Sequence, residues 1–184
     1  MISVYRNLNV LGLAIVFVGV LLLSVQSAQA EIEPFIGEYT GSAEIVYADG
    51  TKKPRDMSVK ISESKDGFTV EWVSTSYKSD GRQKSKSYSI DFLPSAREGI
   101  YSAAMTRNVF GHAVPLDPMK GEPFVWGRIT GDTLTVFSLF LDENGDYELQ
   151  QFDRTLVEGG LMLDFVVFRD GAALRSLSTL LERQ

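Results

Sequence analysis

The chain has 184 residues, a formal charge of −6 and no cysteine. That length suits one domain, and the acidic balance argues against nucleic acid or anionic lipid as partner. Without cysteine, disulfides, thiol catalysis and lipid attachment through a thiol are excluded.

Residues 1–30 differ in kind from the rest. Arg6 is the only charge, Val10–Leu23 reads VLGLAIVFVGVLLL, and the stretch ends on Ala28-Gln29-Ala30. A charged start, an apolar run and an A-x-A ending describe a secretory signal peptide. Cleavage is expected between Ala30 and Glu31, with no twin-arginine signal. The apolar run falls short of the roughly 20 residues of a spanning helix, so no stable membrane insertion is expected after cleavage. The expected location is periplasmic or secreted, by a Sec-type route. Residues 31–184 are read as one domain. A domain near 150 residues buries about 68–70% of its unfolded surface, enough to be held by its core alone.

The first strand opens with FIGEYTGSA, Phe35–Ala43. Gly37, Tyr39, Gly41, Ala43 and Ile45 share one face. Glycine weakens a strand and needs a reason there. If that face points inward, Gly41 and Ala43 leave a space beside Tyr39. Glycine also permits the bend that barrel closure needs.

Turn signals then recur at short intervals: ADGT (Ala48–Thr51), SKDG (Ser64–Gly67), SDGR (Ser79–Arg82), TGDT (Thr130–Thr133), DENGD (Asp142–Asp146) and VEGG (Val157–Gly160). Asp-Gly and Asn-Gly pairs tolerate the positive φ of tight hairpins. The runs between them alternate. Met57, Val59 and Ile61 face one way, and Ser58, Lys60 and Ser62 the other. Phe68, Val70 and Trp72 oppose Thr69 and Glu71; Tyr88, Ile90 and Phe92 oppose Ser87, Ser89 and Asp91. Period two means one buried face and one wet face. KSDGRQKSK, Lys78–Lys86, with Lys78, Arg82, Lys84 and Lys86, reads as a charged hairpin tip that discourages edge pairing; the alternative is an anion-binding patch. Thr106–Pro123 interrupts the pattern and holds three of the six prolines; such a connection is a lid, a binding loop or a plain surface loop. Leu174, Leu177, Leu180 and Leu181 suit either a short terminal helix or a last strand. The whole predicts an all-β fold of about eight to ten strands. Hairpin after hairpin closes most simply into an antiparallel up-and-down barrel, which removes sheet edges.

FIGEYTG resembles the opening strand of the calycins: lipocalins, fatty-acid-binding proteins and nitrobindin-like haem proteins. Those carry Gly-x-Trp on the first strand; here the aromatic is Tyr39. The resemblance implies a lipocalin-like barrel with a small-molecule interior. It also implies an arginine from a late strand packed on the first-strand aromatic, with Arg154 and Arg169 as candidates.

Chemistry-bearing clusters are few. The single histidine, His112, lies in the long connection. One histidine without cysteine makes no usual zinc site, and nitrobindin-like haem ligation draws on a histidine near the last strand, where this chain has none. No cofactor and no metal are expected. DENGDYE spaces oxygen ligands at alternate positions but lacks the glycine that a calcium loop places after Asp146, so a hairpin turn is the simpler reading. Asp164 opposes Leu163, Phe165 and Val167 and should face water. Asp153 and Arg154 point to opposite faces, so one of them is inward. An inward Arg154 or Arg128 would be a counter-ion for a ligand carboxylate, or a structural residue stacked on an aromatic.

No nucleophile–base pair stands out, and no catalytic residue is assigned. The leading expectation is an exported, non-enzymatic barrel that binds a small hydrophobic or amphipathic molecule, with Tyr39, Gly41, Ala43, Trp72, Tyr88, Trp126, Arg128 and Arg154 as ligand-binding candidates. The rival is an envelope protein–protein interaction module with a filled barrel; a third reading is an enzyme of lipocalin-like shape. A solvent-open cavity of about 300 Å³ or more favours the first.

Overall fold

A computed structural model describes residues 31–104, 106–107, 113–114 and 116–184. The expected signal peptide and His112 lie outside the described residues. After a 3-10 turn at Glu33–Phe35 come β1 (Gly37–Tyr47), β2 (Lys52–Ser64), β3 (Gly67–Tyr77), β4 (Gln83–Pro94) and β5 (Ile100–Ala104). Two-residue strands β6 (Thr106–Arg107) and β7 (Ala113–Val114) follow, then β8 (Phe124–Thr130), β9 (Thr133–Leu141), β10 (Tyr147–Val157), β11 (Gly160–Arg169) and β12 (Ala172–Arg183). Ten strands close an antiparallel barrel in the order β1-β12-β11-β10-β9-β8-β5-β4-β3-β2, and β6 and β7 pair apart from it.

Each turn signal falls at a hairpin. Gly50, Gly81, Gly131, Gly145 and Gly159 have positive φ there, as tight reversals require. In the DENGD turn the Asp142 carboxylate accepts from Asn144 N at 2.8 Å and Asp146 N at 3.1 Å. Alternation sets the faces as expected. Val59, Ile61, Phe68, Val70, Ile90 and Phe92 are buried, while Lys60, Glu71, Ser87 and Ser89 are exposed. Tyr88 follows the inward parity but sits high in the barrel and is 44% exposed. The C-terminal segment resolves as the last strand, with Leu177 and Leu181 inward and Leu180 outward.

The end at which β1 begins is filled. Ile32 and Phe35 from the N-terminal turn are both 1% exposed. They join Tyr39, Ile61, Phe68, Phe92, Tyr101, Leu134, Leu161 and Leu181 in the core. Phe68 stacks on Phe92 at 5.1 Å and meets Tyr101 edge-on at 4.9 Å. Tyr101 OH donates to the Glu31 carboxylate at 2.6 Å, tying the start of the described chain to the barrel wall.

First and last strands are locked beside this plug. Arg183 on β12 lies with its guanidinium 5.3 Å from the Tyr39 ring centroid. Its Nη2 donates to Tyr39 OH at 2.7 Å and to Pro34 O at 3.0 Å. Tyr39 OH in turn donates to Phe35 O at 2.8 Å. The arginine packed on the first-strand aromatic is therefore Arg183, not Arg154 or Arg169.

Gly41 serves this closure. A Cβ there would stand 2.6 Å from Leu180 O and 2.8 Å from Leu181 Cδ2. The missing side chain lets β12 come close to β1; the internal space expected beside Gly41 is taken up by Leu181.

One side of the barrel is shorter. β5 pairs with β4 only at Asp91–Pro94, whereas β3 pairs with β4 from Gln83 to Phe92. The upper half of β4 thus has a strand neighbour on one side alone among the described residues. The connection at 105–123 links β5 to β8 on that side. It includes the β6–β7 ribbon and a 3-10 turn at Pro118–Lys120, where the Asp117 carboxylate accepts from Met119 N at 3.0 Å.

Candidate functional site

Above the filled end the interior holds a cavity of about 680 Å³ that opens to solvent. An eight-stranded barrel is just wide enough for side chains or one small ligand; ten strands enclose more. Val59, Ile90, Val136, Leu163 and Arg154 form the floor. The next inward residues along those strands, such as Ile61, Phe92, Leu134 and Leu161, belong to the packed plug. Ile45, Met57, Trp72, Phe152, Phe165 and Leu177 make the wall, and Lys84, Phe140, Glu148, Arg169 and Arg175 stand near the mouth.

The aromatic wall is continuous. Trp72 stacks on Tyr88 at 4.9 Å and meets Phe152 at 5.9 Å; Phe152 meets Phe165 at 4.6 Å. β3 and β10 stand opposite each other in the strand order, so the Trp72–Phe152 contact crosses the barrel.

Arg154 occupies the floor because strand parity on β10 puts it inward and Asp153 outward. Asp153 is engaged there, accepting from Thr135 Oγ1 and from Gln151 Nε2, each at 2.6 Å. Arg154 is 1% exposed. Its guanidinium carbon lies 5.6 Å from the Phe152 ring and 5.9 Å from the Trp72 ring, cation–π distances. Burial pulls its pKa down to about 10, against the opposing charge of Asp153. It therefore stays protonated at neutral pH. Among the described residues its Nε and Nη1 have no hydrogen-bond partner. A buried, unpaired charge is costly, and buried polar groups normally find partners.

The cavity's charge runs against that of the chain. Arg55, Lys84, Lys86, Arg154, Arg169 and Arg175 line it, with Glu148 as the one acidic residue, in a protein of net charge −6. Glu148 is shared by Arg169 at 3.2 Å and Arg175 at 3.5 Å. Arg55 bonds Ser74 Oγ through Nη1 at 3.1 Å, while its Nε is buried without a partner among the described residues.

Of the residues expected to bind a ligand, Trp72, Tyr88 and Arg154 line the cavity. Tyr39, Gly41 and Ala43 do not; Tyr39 lies in the plug and Ala43 packs against the core. Trp126 and Arg128 point outward, because Val125, Gly127 and Ile129 take the inner face of β8. A Cβ on Gly127 would stand 3.1 Å from the Phe92 ring, tighter than an ordinary contact. Outside, Trp126 stacks on Phe137 at 4.8 Å, and Arg128 lies 5.5 Å from the same ring. Sequence reasoning reached Lys84 and Lys86 only as the anion-binding alternative to a hairpin tip, and it missed Arg55 and Arg175. Their signal was parity: Arg55 shares a face with Met57 and Val59, and Lys84 and Lys86 share one with Tyr88 and Ile90.

Compared with known proteins, the chain matches no family model and no curated protein.

Proposed function

We propose that this chain is an exported, non-catalytic barrel, lipocalin-like in the calycin sense, that binds a small hydrophobic or amphipathic molecule in its interior. The observation that carries the reading is the open cavity of about 680 Å³ with its aromatic and aliphatic wall, within the range typical of ligand sites. The ten-stranded meander and the Tyr39–Arg183 lock between first and last strands support the calycin likeness. Export rests on the signal-peptide pattern of residues 1–30. The rival, an envelope interaction module, was built on a filled barrel, and the open interior favours the ligand reading over it.

The test is a titration of the mature protein with N-phenylnaphthylamine, an uncharged apolar dye that brightens in apolar surroundings. Saturable one-to-one binding is expected, and Ser138→Trp, which fills the cavity from β9, should abolish it. A well-folded wild type that leaves the dye dark would overturn the reading.

A further inference from the structure

We infer that the open edge of β4 takes an extended acidic segment of another protein as an added strand. This goes beyond the cavity reading and does not depend on it. β3 covers one side of β4 from Gln83 to Phe92 in unbroken register. β5 covers the other side only from Asp91 to Pro94. Continued upward, β5 would set Thr106 opposite Ser89 and Arg107 opposite Tyr88. Those two residues pair instead with Val114 and Ala113 on β7. Among the described residues nothing pairs with Gln83–Ser89 on that side, and every residue of the stretch is exposed. At about 3.3 Å per residue this is about 23 Å of open edge.

The edge is chemically selective. Antiparallel bonding alternates along a strand. Ser95 N donates to Ile100 O at 2.9 Å on the β5 side, so the same alternation aims the N–H and C=O groups of Gln83, Ser85, Ser87 and Ser89 at the open side. The backbone groups of Lys84, Lys86 and Tyr88 turn to β3 instead. Opposite an added strand these three sit at non-hydrogen-bonded positions, where Cα atoms are about 4.5 Å apart and side chains meet most closely. On β3, Lys84 and Lys86 face only Ser76 and Ser74, and neither makes an ion pair among the described residues. Tyr88 stacks on Trp72 of β3 and is 44% exposed, with no strand on its other side. Opposite charges across a strand pair stabilise it, and like charges repel. The strand that fits runs in the direction of β5 and reads apolar-x-acidic-x-acidic, its apolar residue on Tyr88 and its carboxylates on Lys86 and Lys84. Edge lysines ordinarily deter pairing. Here they deter a second copy, whose β4 would bring lysine against lysine, and admit an acidic strand. Main-chain bonds supply the affinity and alternate side chains the specificity.

The probe is a fluorescein-labelled peptide, Thr-Val-Thr-Glu-Thr-Glu-Thr, titrated by anisotropy. Saturable binding is expected, weakened at least about fivefold when both glutamates become glutamines and further when they become lysines. Lys84→Glu/Lys86→Glu should reverse the order and prefer the lysine peptide. Methylating the amides of the two inner threonines, which face Ser87 and Ser85, should abolish binding. Methylating the glutamate amides, which point away from β4, should spare it. Amide exchange reads the edge itself: in the free protein Ser85 and Ser87 should exchange fast and Lys84 and Lys86 slowly, and the peptide should slow the serines. No binding by folded wild type, or equal binding of the glutamate and lysine peptides, would overturn the inference. A glutamate preference untouched by threonine methylation would reduce the site to surface charge and overturn strand addition too. Slow exchange at Ser85 and Ser87 in the free protein would also overturn it: in a monomer the chain's own 105–123 connection would hold the edge, and in a self-associating protein a second copy would.

Discussion

Gly41→Ala separates two opposite accounts of the first strand by the sign of one measurement. If Gly41 bordered an open space, alanine would fit and would cut the freedom of the unfolded chain. That gain is about 0.4–1 kcal/mol. In the structure the new Cβ would instead meet Leu180 O at 2.6 Å and Leu181 Cδ2 at 2.8 Å. The Leu181 methyl can turn aside. The Leu180 carbonyl cannot, because β1 and β12 are paired at Tyr39–Arg183 and Thr40–Glu182 just below. Relief requires the closing strands to part. Overpacking of this kind costs about 1–3 kcal/mol, so the net loss is about 1–2 kcal/mol. At about 2–4 °C per kcal/mol for a domain of this size, the melting temperature should fall by about 2–8 °C. Thermal unfolding followed by circular dichroism reads this directly. Gly127→Ala is the control: its Cβ meets the Phe92 ring at 3.1 Å, a side chain that can yield, and the loss should be smaller. A Gly41→Ala variant that melts at or above wild type would refute the close-approach account.

Removing Arg183 should loosen the filled end. Arg183→Met deprives buried Tyr39 OH and Pro34 O of a charged donor, with an expected loss of about 1.5–3 kcal/mol in urea unfolding and faster amide exchange at Ile32 and Ile36. Arg154→Met should be neutral or stabilising in the unliganded protein, because it replaces an unpaired buried charge by an apolar group; a lowered urea midpoint would show that the stacked guanidinium itself holds the wall. Tyr101 carries a raised pKa, chiefly from burial and then from its hydrogen bond to Glu31. The folded state therefore keeps the phenolic proton after the unfolded state has lost it, and this contribution to stability falls as pH rises past the free tyrosine value near 10. Between about pH 9 and pH 11 wild type should lose urea resistance more steeply than Tyr101→Phe; parallel slopes would contradict the assignment.

The strands of the first half were legible because their alternation is strict and their hairpins are spelled by Asp-Gly. Leu174–Gln184 was not, since leucines four apart satisfy period two as well as a helix; Leu177 and Leu181 share an inward face either way. In FVWGRI the pattern permits two parities. The large ring of Trp126 suggested the inside, but Phe92 occupies the space in front of Gly127, and Val125, Gly127 and Ile129 take the inner face. A glycine in a strand signals a missing side chain without saying whether a void or a backbone lies beside it, so Gly41 misdirected the site toward the closing seam. Arg154 was half legible: parity offered it or Asp153, and only the neighbours Thr135 and Gln151 on the outer face decide. Lys84 and Lys86 looked like a hairpin tip because nothing in their own stretch says which end of the barrel stays open.

Contact quenching of single tryptophans tests the central claim, that a ligand binds inside this barrel, most directly. The chain has two tryptophans: Trp72 on the cavity wall and Trp126 outside against Phe137. Bromododecanol, an uncharged amphiphile whose bromine quenches only at contact, should quench Trp72 saturably in Trp126→Phe and leave Trp126 unchanged in Trp72→Phe. Quenching of Trp126 alone, or of neither in the folded protein, would contradict it.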